Sequence, residues 1–310
     1  MNEWPKKPVQ WIEDRVLYVS VPFTWNLPAI RDELAARSLL WDRAVVGGPA
    51  VQLMPGFLDG LSGVTVGGDM PGALQRVNPL ATRTTVGCVR RCKFCAIGTG
   101  AVEPGGLREL ADWPDLPIIC DNNLLAASEA HFERVVKRLI RWGYADFNQG
   151  LDARLLTAEH ARLLARIKKP MVRLALDSMA EREAWEHAFN LLRSAGIAKH
   201  RIRSYCLIGF HDSPADAWRR CLWVKNHGIV ALPMWFHRLD QLVHNAVTDQ
   251  QRSMGWDHKQ QRRIMGYFYQ HRGTPWSPAD ESTSGGVDGV GADGVAGVVA
   301  EGPPLSAVVA

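Results

Sequence analysis

The stretch TTVGCVRRCKFCAIGTG, residues 84–100, places three cysteines, Cys88, Cys92 and Cys95, within eight positions of one another. It grows out of a strand-like segment, TRTTVG (82–87), and opens a run of alternating strand and helix patterns. Three thiolates fall one short of a structural zinc set, and the spacing C-x3-C-x2-C differs from the separated C-x2-C pairs of zinc modules. A cubane iron–sulfur cluster suits three close, soft donors on a flexible loop. With three irons tied to protein, the fourth keeps positions open for a small molecule.

The alternation after the cysteine loop is regular. LPIICD (116–121), YADFNQG (144–150), MVRLALD (171–177), RIRSYCLIG (201–209) and IVALPMWFH (229–237) read as strands two to six. Between them, 128–143 reads as a helix capped by Ser128, with Phe132, Val135, Val136, Leu139 and Ile140 as its apolar stripe and Gly143 as its stop. Residues 157–169 form the next helix, stopped by Pro170. Ser178 and Glu181 have capping-box spacing for a helix running to Gly196, and Ser213-Pro214 opens one ending near Gly228. Six such units predict an α/β fold with a parallel sheet, curled into a partial (β/α)6 barrel. Ligands of such sheets sit at the C-terminal strand ends, where the cysteine loop begins.

Residues 1–81 read as a small α/β unit, with strands at 15–21 and 43–48 and a helix at 28–40. The barrel spans 82–245, a basic helical segment 246–275, and a tail 276–310 rich in Gly, Ala, Val and Asp without periodicity is expected to be disordered. The formal charge is +4; the tail carries five acids and no Lys or Arg, which leaves +9 on the rest. That is compatible with an anionic substrate or a nucleic acid, and equally with an ordinary basic surface. No apolar run approaches the roughly 18 residues of a membrane helix, and no signal peptide is read. Six cysteines without a secretion signal point to a reducing cytoplasm.

The run Cys88-Val-Arg-Arg-Cys92-Lys-Phe94-Cys95 resembles the signature of the radical S-adenosylmethionine (SAM) superfamily. The resemblance covers about residues 82–240 and follows the branch whose members often carry a cobalamin-binding domain. It implies that the three cysteines hold a 4Fe–4S cluster whose open iron binds SAM. It also implies reductive cleavage of SAM to a 5′-deoxyadenosyl radical that abstracts hydrogen from a substrate, with an electron donor such as flavodoxin or ferredoxin. Phe94 is then expected near the adenine. LALDS (174–178) resembles the fourth-strand motif of that branch and places Asp177 and Ser178 toward the SAM ribose, with Asp in place of the more usual Glu. CDNN (120–123) stands where the branch carries its second-strand motif; no G-G-E follows, so Asp121, Asn122 and Asn123 are candidates for the SAM amine by position. AVVGGPAVQLMP (44–55) resembles part of a cobalamin-binding domain, but residues 1–87 contain no histidine. A reduced unit that caps the site is expected, and cobalamin is not.

Other residues carry two readings each. Cys120, at the end of the second strand, is either a hydrogen donor or a small buried thiol; Cys206 and Cys221 read as core, so one cluster is expected. In the turn of Gln149, Asp152 and Arg154, Arg154 either holds the SAM carboxylate or an anionic substrate, or pairs with Asp152. His211, His237 and Arg238 are acid/base or substrate candidates, and structural residues otherwise. Arg90–Arg91 either attracts the electron donor or is a solvated loop. Residues 249–272 either grip nucleic acid or pack on the barrel with a solvated basic face. The alternatives are a zinc-stabilised nucleic-acid-binding module, a cobalamin-dependent methyltransferase of the same superfamily, or a descendant without chemistry.

Overall fold

The computed structural model describes residues 4, 7–36, 39–67, 70 and 72–269. The tail expected at 276–310 lies outside the described residues. The chain begins with a four-stranded sheet, β1 (Val9–Glu13), β2 (Val16–Ser20), β3 (Arg43–Gly47) and β4 (Val64–Val66), in that order. β1 and β2 are antiparallel, joined by the two-residue turn Asp14-Arg15 with both φ angles positive. β2, β3 and β4 are parallel. Helices α1 (Leu27–Ala36) and α2 (Pro49–Leu53) supply Ile30, Leu34 and Val51 to a core shared with Leu17, Val19 and Val46.

After α3 (Ala73–Val77), the chain enters a second sheet with β5 (Ala81–Thr82). It leaves at once for a small antiparallel ladder of β6 (Thr85–Val86) with β7 (Arg108–Glu109), and returns with β8 (Ile118–Ile119). β9 (Ala145–Phe147), β10 (Pro170–Ala175), β11 (Ile202–Ile208) and β12 (Val230–Trp235) follow in sequential order, every neighbouring pair parallel. Helices α4 (Glu129–Trp142), α5 (Ala158–Leu164), α6 (Arg182–Ser194) and α7 (Pro214–Asn226) alternate with these strands. The fold is therefore α/β with a six-stranded parallel sheet.

Strand alternation sorts the side chains. On β10 and β11, Val172, Leu174, Ile202, Cys206 and Ile208 face the helices and join one core with Phe132, Leu164, Trp185 and Trp218. Ser204, also on that face, is satisfied by the Trp185 indole at 2.9 Å. The opposite face carries Asp146, Arg173 and Tyr205: Arg173 pairs with Asp146, and the Tyr205 hydroxyl donates to the Asn148 carbonyl at 2.7 Å.

The expected first strand, 82–87, is broken in two. The buried Asp121 carboxylate accepts from the Thr84 and Thr85 amides at 2.6 and 2.9 Å and from the Thr84 hydroxyl at 2.5 Å. These amides are thereby withdrawn from the sheet ladder. The helix expected at 157–169 ends at Leu164, ahead of Pro170, which heads β10. Ser178 and Glu181 form no capping box: Ser178 accepts from the Ala180 amide, and Glu181 pairs with Arg154. The basic segment divides into α8 (Asp249–Ser253) and α9 (His258–Tyr269) around Gly255 and Trp256. α9 buries Gln261, Ile264 and Phe268 and leaves His258, Lys259 and Arg262 exposed, as a helix packed on the sheet with a solvated basic face. Among the described residues no helix is long and apolar enough to cross a membrane.

Asp121→Ala strands two buried amides without an acceptor. It is expected to cost about 3 kcal/mol or more in urea unfolding; a loss below about 1 kcal/mol would show that the broken strand does not depend on this carboxylate.

Candidate functional site

A cavity of about 270 Å3 opens at the C-terminal ends of β8–β12. Successive strand ends supply its wall: Asn122 and Asn123 after β8, Asp152 and Arg154 after β9, Asp177 after β10, Leu207 on β11 and His237 after β12. Cys88, Cys92, Phe94 and Cys95 line it from the loop above β5. Of the residues expected at the site, Cys120, Asp121, Ser178 and His211 lie outside its lining. Cys120 is fully buried in a small core with Ala81 and Ile118, against Leu74 and Tyr144, and burial pushes its thiol up to about 12. The thiol does not reach the cavity lining. Asp121 is spent on the Thr84–Thr85 turn, and burial raises its carboxyl despite three donors. The Ser178 hydroxyl caps a short 3-10 turn at 179–181.

The cysteine loop is held at its two ends. Glu103 accepts from the Gly87 amide at 2.8 Å and from the Asn122 side chain at 2.9 Å, and forms a two-pronged ion pair with Arg83. Burial alone would raise the Glu103 carboxyl; the bonds from Arg83, Gly87 and Asn122 outweigh it and hold it below its ordinary range. Gly87 has φ +79°, and a Cβ there would stand 2.0 Å from the Gly106 carbonyl oxygen. At Gly98 a Cβ would stand 2.6 Å from the Cys92 amide nitrogen and carbonyl oxygen. Backbone thus packs against backbone within the loop and fixes where Cys92 enters the cavity.

The sulfurs meet hydrogen-bond donors. Cys88 accepts from the Arg90 amide at 3.3 Å and the Asn123 side chain at 3.7 Å. The Gly98 and Ile97 amides favour the thiolate of Cys95. Burial raises the thiols of Cys92 and Cys95 nonetheless, so thiolates here need a nearby positive charge. Among the described residues no three His, Cys, Asp or Glu side chains converge on one point as a ready metal site. The three thiols open on one cavity. Cys120, Cys206 and Cys221 are all buried away from them.

The charged lining is mutually paired. Asp152 accepts from Arg90 at 2.9 Å and from Arg154 at 2.7 Å, and Arg154 also donates to Glu181 at 2.5 Å. The Arg154–Asp152 pair therefore exists, and both partners line the cavity. Burial works against the Asp152 carboxylate, but these two arginines hold it low. Asp177 has no such ion pair: among the described residues it accepts from the Leu207 amide at 3.3 Å, and burial, with the Glu181 charge, lifts it to about 6 against the charges of Arg220 and Arg154.

The remaining lining is largely apolar, and its aromatic rings include two from the N-terminal unit that the sequence patterns do not point to. Phe23 and Trp25, in the segment after β2, stack at 4.4 Å. Trp25 meets His237 at 4.6 Å and His244 at 4.8 Å, and Thr24 donates to the Gln241 carbonyl at 2.5 Å. The N-terminal unit therefore walls one side of the cavity. VPFTW stands at the C-terminal end of a parallel strand, and that position was the available signal. Glu103 had none. His211 is outside the lining against Phe210, and Arg238 pairs with Asp240 at 2.8 Å. No family model and no curated protein matches this chain.

Between its ordinary 3.8 and about 6, folded Asp177 keeps a proton that the unfolded chain has released, so stability falls as pH rises through that window. Asp177→Asn is expected to abolish this slope and to be more stable at pH 7.5 by up to about 3 kcal/mol. Urea midpoints from pH 4 to 8 that run parallel for both proteins would contradict it.

Proposed function

We propose that this chain is a radical SAM enzyme in which Cys88, Cys92 and Cys95 hold a 4Fe–4S cluster and leave one iron open to SAM. The six consecutive parallel strands are read as a partial (β/α)6 barrel, with the cavity as its mouth. The observation that carries the reading is that three soft donors of one loop share a cavity with the polar ends of consecutive parallel strands. Hydrogen bonds to the sulfurs suit an iron–sulfur centre, whose potential depends on such donors. When bound, the reduced cluster supplies the electron that cleaves SAM to methionine and a 5′-deoxyadenosyl radical.

This chain's residues bind, orient and shield. Asn123 keeps a buried Oδ1 without a partner among the described residues, beside Cys88, an acceptor suited to the SAM amine. Ionised above pH 6, Asp177 accepts from a ribose hydroxyl at the end of β10. Arg154 already serves two carboxylates, so it orients Asp152 and Glu181 and has only part of its fork left for the SAM carboxylate. Phe94, edge-on to Phe210 at 5.5 Å, offers a face to the adenine. Trp25 and Phe23 keep water from the radical. Arg91 and Lys93, exposed on the cysteine loop, would meet an acidic flavodoxin or ferredoxin. Such chemistry belongs in a reducing cytoplasm.

Anaerobic reconstitution with iron and sulfide should load about four irons per chain. With dithionite and SAM it should yield 5′-deoxyadenosine, and Cys92→Ala should abolish the product. Zinc bound in place of iron, or product undiminished in the variant, would overturn the reading and favour the zinc alternative or a contaminant.

A further inference from the structure

The cavity has two unlike halves. Asn122, Asn123, Asp152, Arg154, Asp177 and Glu181 make one polar, and the function proposed above employs it. Phe23, Trp25, Met234, Phe236, His237 and Leu239 make the other, which that function leaves without an occupant. We propose that this second half binds a neutral aromatic ring bearing one hydrogen-bonding group. Assigning that ring to the substrate rests on the radical SAM reading; its binding does not.

Charge selects the neutral form. Every arginine of the lining already has a carboxylate: Arg90 and Arg154 share Asp152, and Arg238 has Asp240. None is left to compensate an anion entering from the aromatic side. His237 does not supply the missing charge, because burial and the neighbouring His244 push it down to about 3. A neutral imidazole offers one donor and one acceptor. Both His237 ring nitrogens are buried with no partner among the described residues, which is costly unless a ligand pairs with one of them.

Geometry selects the flat ring. Phe23 stacks on Trp25 at 4.4 Å, and Trp25 meets the tilted rings of His237 and His244 at 4.6 and 4.8 Å. The Thr24–Gln241 bond ties the segment after β2 to the loop after β12 and holds these rings in place. A wall of rings that is already ordered loses little freedom on binding, and it favours an aromatic partner over an aliphatic one of equal size.

The test is equilibrium dialysis of the full chain without cluster against p-cresol and indole, with cyclohexanol and 4-methylbenzoate as the aliphatic and anionic controls, and toluene as the ring without a polar group. Both neutral aromatics should bind about tenfold tighter than either control. Trp25→Ala should weaken them about tenfold. His237→Leu, which keeps the apolar volume, should remove the preference for p-cresol over toluene, and it decides the matter if Trp25→Ala fails to fold. Equal binding of cyclohexanol, tighter binding of 4-methylbenzoate, no binding at millimolar probe, or unchanged selectivity in both variants would each overturn the proposal. Ring binding without SAM cleavage would discard the radical reading and keep this site; SAM cleavage without ring binding would do the reverse.

Discussion

The Glu103 carboxylate closes the cysteine loop, and the site depends on that closure. One side chain gathers Arg83 from the turn after β5, the Gly87 amide just before Cys88, and Asn122 from the end of β8. The irregular chain of residues 88–102 is thereby tied to two strand ends. Removing one partner of so buried a pair costs about 3–5 kcal/mol, because the other charge is left behind. The clasp gives an irregular loop the fixed position that a strand or helix would otherwise supply. Gly98 then presses on the Cys92 backbone and sets the position of the middle cysteine within the loop.

The sheet divides the remaining work between its faces. One face, with the helices, is an apolar core that shares Leu151, Ala153 and Trp235 with the cavity wall. The other carries the polar residues, and each has a different way of being tolerated. Arg173 and Asp146 neutralise each other, Tyr205 borrows a backbone carbonyl, and Asp177 keeps its proton until about pH 6. The first two are closed arrangements. Asp177 stands where the wall opens, and its carboxylate, outside any ion pair among the described residues, is one that a ligand hydroxyl can pair with.

Local rules made much of the fold legible. α4 begins at Ser128, ends at Gly143 and buries Phe132, Val135, Val136 and Leu139, because capping and a 3.6-residue stripe act within one element. Ser213-Pro214 likewise starts α7. The broken first strand was not legible: its cause, Asp121, lies 37 residues from Thr84. Ser178 and Glu181 had capping spacing, yet the stronger Arg154 charge took the carboxylate. Cys120 stands at the expected end of the second strand, but Ala81, Ile118, Leu74 and Tyr144, from other parts of the chain or the strand itself, enclose it. The meeting of Cys88, Cys92 and Cys95 in one cavity follows from their close spacing within a single loop. The aromatic wall, which comes from another sheet, needed the tertiary structure.

The most direct test of the account is electron paramagnetic resonance of the reconstituted, dithionite-reduced protein with and without SAM labelled with 17O in its carboxylate. A cluster held by Cys88, Cys92 and Cys95 alone has one iron free to take that carboxylate, so its signal should change on adding SAM and show coupling to the label. A cluster signal indifferent to SAM would mean that the fourth position is already filled, and the central claim would fall.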